Sequence, residues 1–168
     1  MSLKLKFDPE YDYGQTDLSV EENLACWKFA QLITTLITLS SSSDRQAEII
    51  GIGATCDEMG EDFHSYFTLS SRSYHRAGLL SEKEILELEK LDAYFEERSG
   101  NNSPDFWDDF LLDTNPEWDV VRTKATNILQ LLGFQDLTID FDRKEDYEIT
   151  DKGKRVVGQW TKTRLVKK

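Results

Sequence analysis

The sequence is poor in the residues that most often carry chemistry: two cysteines, two histidines and three prolines in 168 residues. The cysteines, Cys26 and Cys56, are too few for the disulfide framework of a small secreted scaffold, and each sits inside an apolar helical pattern. They read as buried reduced thiols, which suits a cytoplasmic protein; a bridge between them is the alternative that spacing leaves open. Histidine is the usual proton shuttle near neutral pH, so its scarcity favours a non-enzymatic reading. Positive charge is scarce too, with 20 Lys and Arg against 32 Asp and Glu and a net charge of -12. That balance excludes broad phosphate-backbone binding and docking on anionic membranes. The most apolar stretch, Leu24 to Leu39, is broken by Lys28, Gln31 and three threonines and is too short to span a bilayer. No apolar run follows Lys4 and Lys6, so a signal peptide is not expected. Phosphate-binding loops, zinc spacings, nucleophile elbows and kinase signatures are missing, and the sequence calls for no cofactor.

What is present is core material. Hydrophobic residues make up 39% and aromatics 11%, which excludes intrinsic disorder despite the charge. A chain of this length buries about 70% of its unfolded surface without staples. The expected fold is mainly α: a helical bundle with one long helix and a small C-terminal β-hairpin followed by a helix. Residues 1–18 read as an N-terminal arm, 19–133 as the helical body, and 134–168 as the hairpin and a basic helix, all in one compact unit. Ser19 and Glu22 form a capping-box pattern ahead of a helix over 20–39. Ile49, Ile52, Cys56, Met59, Phe63 and Tyr66 alternate spacings of three and four, which predicts a long helix over 45–74. That stripe could also serve as a seam for self-association. Ser81 and Glu84 repeat the capping box before a helix ending near Gly100. Pro104 and Pro116 each open a helix, over 104–112 and 116–132, with Gly133 as a stop. Leu137, Ile139 and Phe141 alternate with polar residues as a strand does, and 147–149 reads as its partner. Thr150 then caps a last helix over 151–165.

The charge is unevenly placed. Residues 150–168 carry +6, and residues 1–149 carry -18. Lys152, Lys154, Arg155, Lys162 and Arg164 are therefore the candidates for an anionic partner, nucleic acid included; the plainer reading docks them on the protein's own acidic body. The run Ile149-Thr150-Asp151-Lys152-Gly153 leading into a helix resembles the step after the wing in winged-helix transcription regulators. The resemblance covers about 137–160 and implies a winged-helix-like shape and a DNA-binding regulator. The helix that would read DNA, 116–132, departs from the family in carrying Glu117 and Asp119 at its start and only Arg122 and Lys124 as cations.

Two other groups are candidate sites. Asp57, Glu61 and His64 share a helix face at i, i+4 and i+7, and Glu-x-x-His is a metal-ligand pair of helical bundles, so a metal-dependent enzyme is one alternative. Cys56 with His64 as base is a weaker one, because Asp57 and Glu58 disfavour a thiolate. Phe106, Trp107, Phe110 and Trp118 fall around the two proline-started helices, beside Asp105, Asp108, Asp109 and Asp113. An aromatic cluster rimmed by carboxylates suits a basic protein partner, with Phe106, Trp107, Asp108, Asp109 and Trp118 as the binding set. The leading reading is an acidic protein-interaction module, of inhibitor, immunity or regulatory type, that binds a basic partner or itself.

Overall fold

A computed structural model describes residues 7–168. The described residues fold into six α-helices and one antiparallel hairpin: α1 Glu21–Ser40, α2 Ser43–Ile50, α3 Thr55–Phe63, α4 Ser71–Arg76, α5 Glu82–Glu96, α6 Pro116–Leu132, β1 Leu137–Thr150 and β2 Gly153–Lys167. The expected mainly helical class with a C-terminal hairpin is what the chain adopts. Of the expected arm, residues 1–6 lie outside the described residues; the remainder packs on the body. Phe7 is buried against Tyr13, Phe29 and Phe134.

The core is built around α1, whose Phe29, Leu32, Ile33, Leu36 and Leu39 have no solvent exposure. An apolar helix this broad must be covered on several sides, and α2, α3, α4, α6 and the hairpin supply the cover. The Ser19–Glu22 capping box is not formed. Ser19 bonds Asp17 instead, and Val20 stands at the N-cap without a side-chain bond. The Ser81–Glu84 box is formed in both directions. Asn115 caps α6 with Pro116 in its first turn, and Gly133 ends it at φ 82°.

The expected unbroken helix over 45–74 is three helices. Gly51 and Gly53 take φ of 76° and 124°, which no helix interior allows, and the chain turns between α2 and α3. A π-helical turn over His64–Thr68 then separates α3 from α4. There the Tyr66 carbonyl accepts from the buried Tyr74 hydroxyl. Of the stripe that promised a self-association seam, Ile49, Cys56, Met59 and Phe63 are buried within the chain, while Ile52 is exposed at the turn between α2 and α3.

The expected helix over 104–112 is a series of turns with one 3-10 turn, Asp109–Leu111. Asp108 bonds the amide of Phe110, an aspartate turn that competes with helical pairing. The expected last helix over 151–165 is strand β2. Val156, Val157, Thr161, Thr163 and Val166 are β-branched and stiff, which favours extended backbone. β2 pairs with the whole of β1 from Leu137↔Lys167 to Thr150↔Gly153, with a bulge at Val157 opposite the Asp146–Tyr147 step. The step resembling the end of a wing is thus the hairpin's own turn, where Thr150 Oγ1 bonds across to Gly153.

Candidate interaction surfaces

The predicted aromatic set divides. Trp118 and Phe106 lie inside the core, stacked at 4.5 Å, and Trp118 Nε1 donates to the Phe106 carbonyl at 2.6 Å. They hold the 103–115 loop to the body and contribute no surface. Asp109 is also occupied internally. Its two carboxylate oxygens accept from the amides of Thr55 and Cys56 at 3.0 and 2.9 Å, so it caps α3 from another part of the chain. Asp108 holds the 3-10 turn and Asp113 accepts from Ser43 at 2.8 Å. Of the predicted protein-binding residues, Trp107 lines a depression in the surface.

Trp107 is fixed on three sides. Its Nε1 donates to the Arg98 carbonyl at 2.5 Å, and Phe106 meets it edge-on at 4.8 Å. Gly60 of α3 leaves room for the ring: a Cβ there would stand 2.8 Å from Cη2 and Cζ3. The half-buried ring forms part of an open depression of about 550 Å³ that Asp57, Glu61, His64 and Asn101 also line. The face of α3 read as a metal-ligand set therefore meets the aromatic read as a partner contact. Among the described residues, no Lys or Arg lines the depression. A guanidinium or ammonium group placed over the ring would find two carboxylates and a π face.

The same arrangement does not make a coordination shell. Among the described residues no group of three His, Cys, Asp or Glu side chains is placed to hold an ion. Positions i, i+4 and i+7 share a face but spread over roughly 10 Å of helix axis, too far for one metal. Cys56 is fully buried, and burial together with Asp109 holds its thiol far above the ordinary range. That opposes thiolate formation and a nucleophilic role. Cys26 is also a buried free thiol, raised by burial and then by Glu22.

The basic segment is a strand facing acids. Arg164 donates to Asp140 at 2.6 Å and to Asp142 at 2.8 Å, Arg155 to Glu148 at 2.6 Å, and Lys162 to Asp12 at 3.0 Å. Lys154 sits 3.7 Å from the Tyr147 ring centroid, and Lys152 is exposed at the turn. Antiparallel register explains the pairing, because directly opposed side chains share a face. Cations of β2 alternate with anions of β1 along the ribbon, and no unbroken cationic stripe results. Arg122, a cation of the helix compared with a DNA reader, is spent internally on the carbonyls of Ser41 and Leu112 and on buried Gln46.

Two surface features escaped the sequence reading of binding residues. Phe110, named among the aromatics but not in the binding set, is 95% exposed. The distal hairpin exposes Tyr147, Ile149, Val157 and Trp160. The signal for Phe110 was its neighbour Asp108, whose turn bond replaces the helix that would have packed the ring. No family model, curated protein or solved structure matches the chain.

Proposed function

We propose that this chain is an acidic protein-interaction module that grips a basic segment of a partner protein. The observation that supports it most is the convergence of Trp107, Asp57, Glu61 and His64 on one depression that no described Lys or Arg lines. An arginine or lysine side chain laid on Trp107 gains a cation–π contact, commonly about 0.5–1 kcal/mol at an exposed site and more as water is excluded. The carboxylates add attraction and select against acidic partners, and the excess of -18 over residues 1–149 steers a basic surface toward the body. An inhibitor or immunity-type protein that masks a basic surface is the concrete form of this reading. No step of bond making is called for.

Calorimetric titration with an arginine- and lysine-rich peptide tests it. Binding is expected to weaken as salt rises and to be absent for a sequence-matched acidic peptide. The double variant Asp57→Asn, Glu61→Gln should lower affinity about tenfold, the equivalent of 1.4 kcal/mol. Equal binding of the basic and acidic peptides, or an unchanged affinity in the double variant, would overturn the assignment.

A further inference from the structure

A two-stranded ribbon is marginal in water unless something covers it. The near part of this one is covered. Leu137, Ile139 and Leu165 are in the core, and Arg143 donates to the Glu48 and Ile49 carbonyls at the end of α2, both at 2.7 Å. Gln159 Oε1 accepts from the Ile52 amide at 2.9 Å. Past these anchors the ribbon runs on for roughly 20 Å, at 3.4 Å per residue. Tyr147 and Ile149 stand opposite Val156 and Lys154, so these four share a face. Ile149 is 88% exposed and Tyr147 47%. This face is apolar with a cation at its end, Lys154, which lies beside the Tyr147 ring, and Glu145 at its near end accepts from the Tyr147 hydroxyl.

The helical body carries the opposite pattern. Phe110 stands out of the 103–115 loop, with the exposed carboxylates of Asp105 and Asp113 in the same loop. Its exposure means that the chain's own ribbon does not cover it. We propose that the occupant of the distal ribbon is a second copy of this chain, the ribbon of each protomer covering Phe110 of the other. The chemistry is complementary: an apolar–cationic face meets an apolar–anionic knob. Reciprocal exchange uses each surface once and closes a two-fold dimer, with no open end to propagate. Phe110 does not line the Trp107 depression, and neither reading depends on the other.

Sedimentation velocity on the full chain, across micromolar to near-millimolar concentration, tests the proposal. A monomer–dimer equilibrium is expected, strengthening with the first salt, which screens repulsion between the acidic bodies, and weakening at higher salt because part of the contact is ionic. Ile149→Asp and Phe110→Asp should each weaken dimerisation more than about tenfold, since each removes a buried apolar side chain and introduces a charge. Both positions are exposed in the monomer, so circular dichroism should find both variants folded. An equimolar mixture of the two variants should associate more tightly than either alone, because a mixed dimer keeps one intact ribbon–Phe110 contact. Three outcomes overturn the proposal: a wild-type monomer at every concentration, a dimer that ignores Phe110→Asp, or a mixture no tighter than its components. The second would mean that the ribbons pack on each other.

Discussion

Trp107 owes its position to a residue with no side chain. Gly60 lies in the middle of α3, where glycine weakens a helix by up to about 1 kcal/mol relative to alanine. The ring that rests on it explains the concession. Gly60→Ala would gain helix propensity yet push into two ring atoms only 2.8 Å away. Overpacking of this kind costs about 1–3 kcal/mol. A net loss of about 1 kcal/mol in urea unfolding is expected, together with weaker binding of the basic peptide as the ring is displaced; gain in stability would refute the contact. Asp62 makes a second test at this scale. It is half-buried on α3, and burial, then Glu58 and Glu61, raise its pKa from 3.8 to about 6. The folded state therefore holds this proton more tightly than the unfolded chain does. Its contribution to stability falls as pH rises from about 4 to about 6 and stays low above that. Asp62→Asn should stabilise the protein at neutral pH by on the order of 1 kcal/mol, once solvent access is allowed for. The gain should fade below pH 4 or so. A pH-independent difference between the variant and the parent would rule out this titration.

Elements, in contrast, meet through shared bonds. The α2–α3 turn is fitted to the hairpin, since Arg143 takes the last carbonyls of α2 and Gln159 takes the Ile52 amide. Gly51 faces Gln159 so closely that an added Cβ would clash with its amide, and would press on the Arg143 guanidinium at 3.0 Å. Gly51→Ala combines that clash with a φ of 76°, and a loss of about 2 kcal/mol or more is expected in thermal unfolding. Little change would mean that the hairpin is held elsewhere. These junctions also mark where the sequence could be read and where it could not. α5 and α6 were legible because a cap and the apolar spacing agree within each segment, and α1 by its apolar spacing alone, since its expected capping box is not formed. The 45–74 stretch misled because its apolar stripe keeps helical spacing across Gly51-Ile52-Gly53, while the backbone there is set by contact with a strand a hundred residues away. β2 misled because Lys and Arg mask its β-branched alternation, which only the facing acids of β1 make affordable. At the candidate site, Asp57, Glu61 and His64 were legible as one helix face, and Trp107 as a member of an aromatic cluster. Their convergence was not, because it depends on how the 103–115 loop crosses α3.

Over the whole molecule, stability should be graded along the hairpin. The body has a continuous aromatic and aliphatic core from Phe7 to Leu165, while the ribbon beyond Arg143 has cross-strand pairs and solvent. Exposed ion pairs such as Arg155–Glu148 are worth little, with typical values of about 0–1 kcal/mol. Hydrogen exchange on dilute protein should therefore show slow amides in α1, α6 and residues 137–143, and fast amides over 147–156, in a local opening that leaves the body folded. Raising the protein concentration should slow the 147–156 amides selectively if a second copy covers them, and Phe110→Asp should abolish that slowing. Uniform protection along the ribbon of a dilute monomer would show that its distal half stands without a partner. The net charge of -12 sets the same expectation from another side. Two like-charged molecules repel at long range and associate only where the local pattern inverts. The ribbon's cationic end and the Asp-flanked Phe110 are such a place, so association should pass through a maximum as salt first screens the repulsion between the bodies and then screens the contact itself.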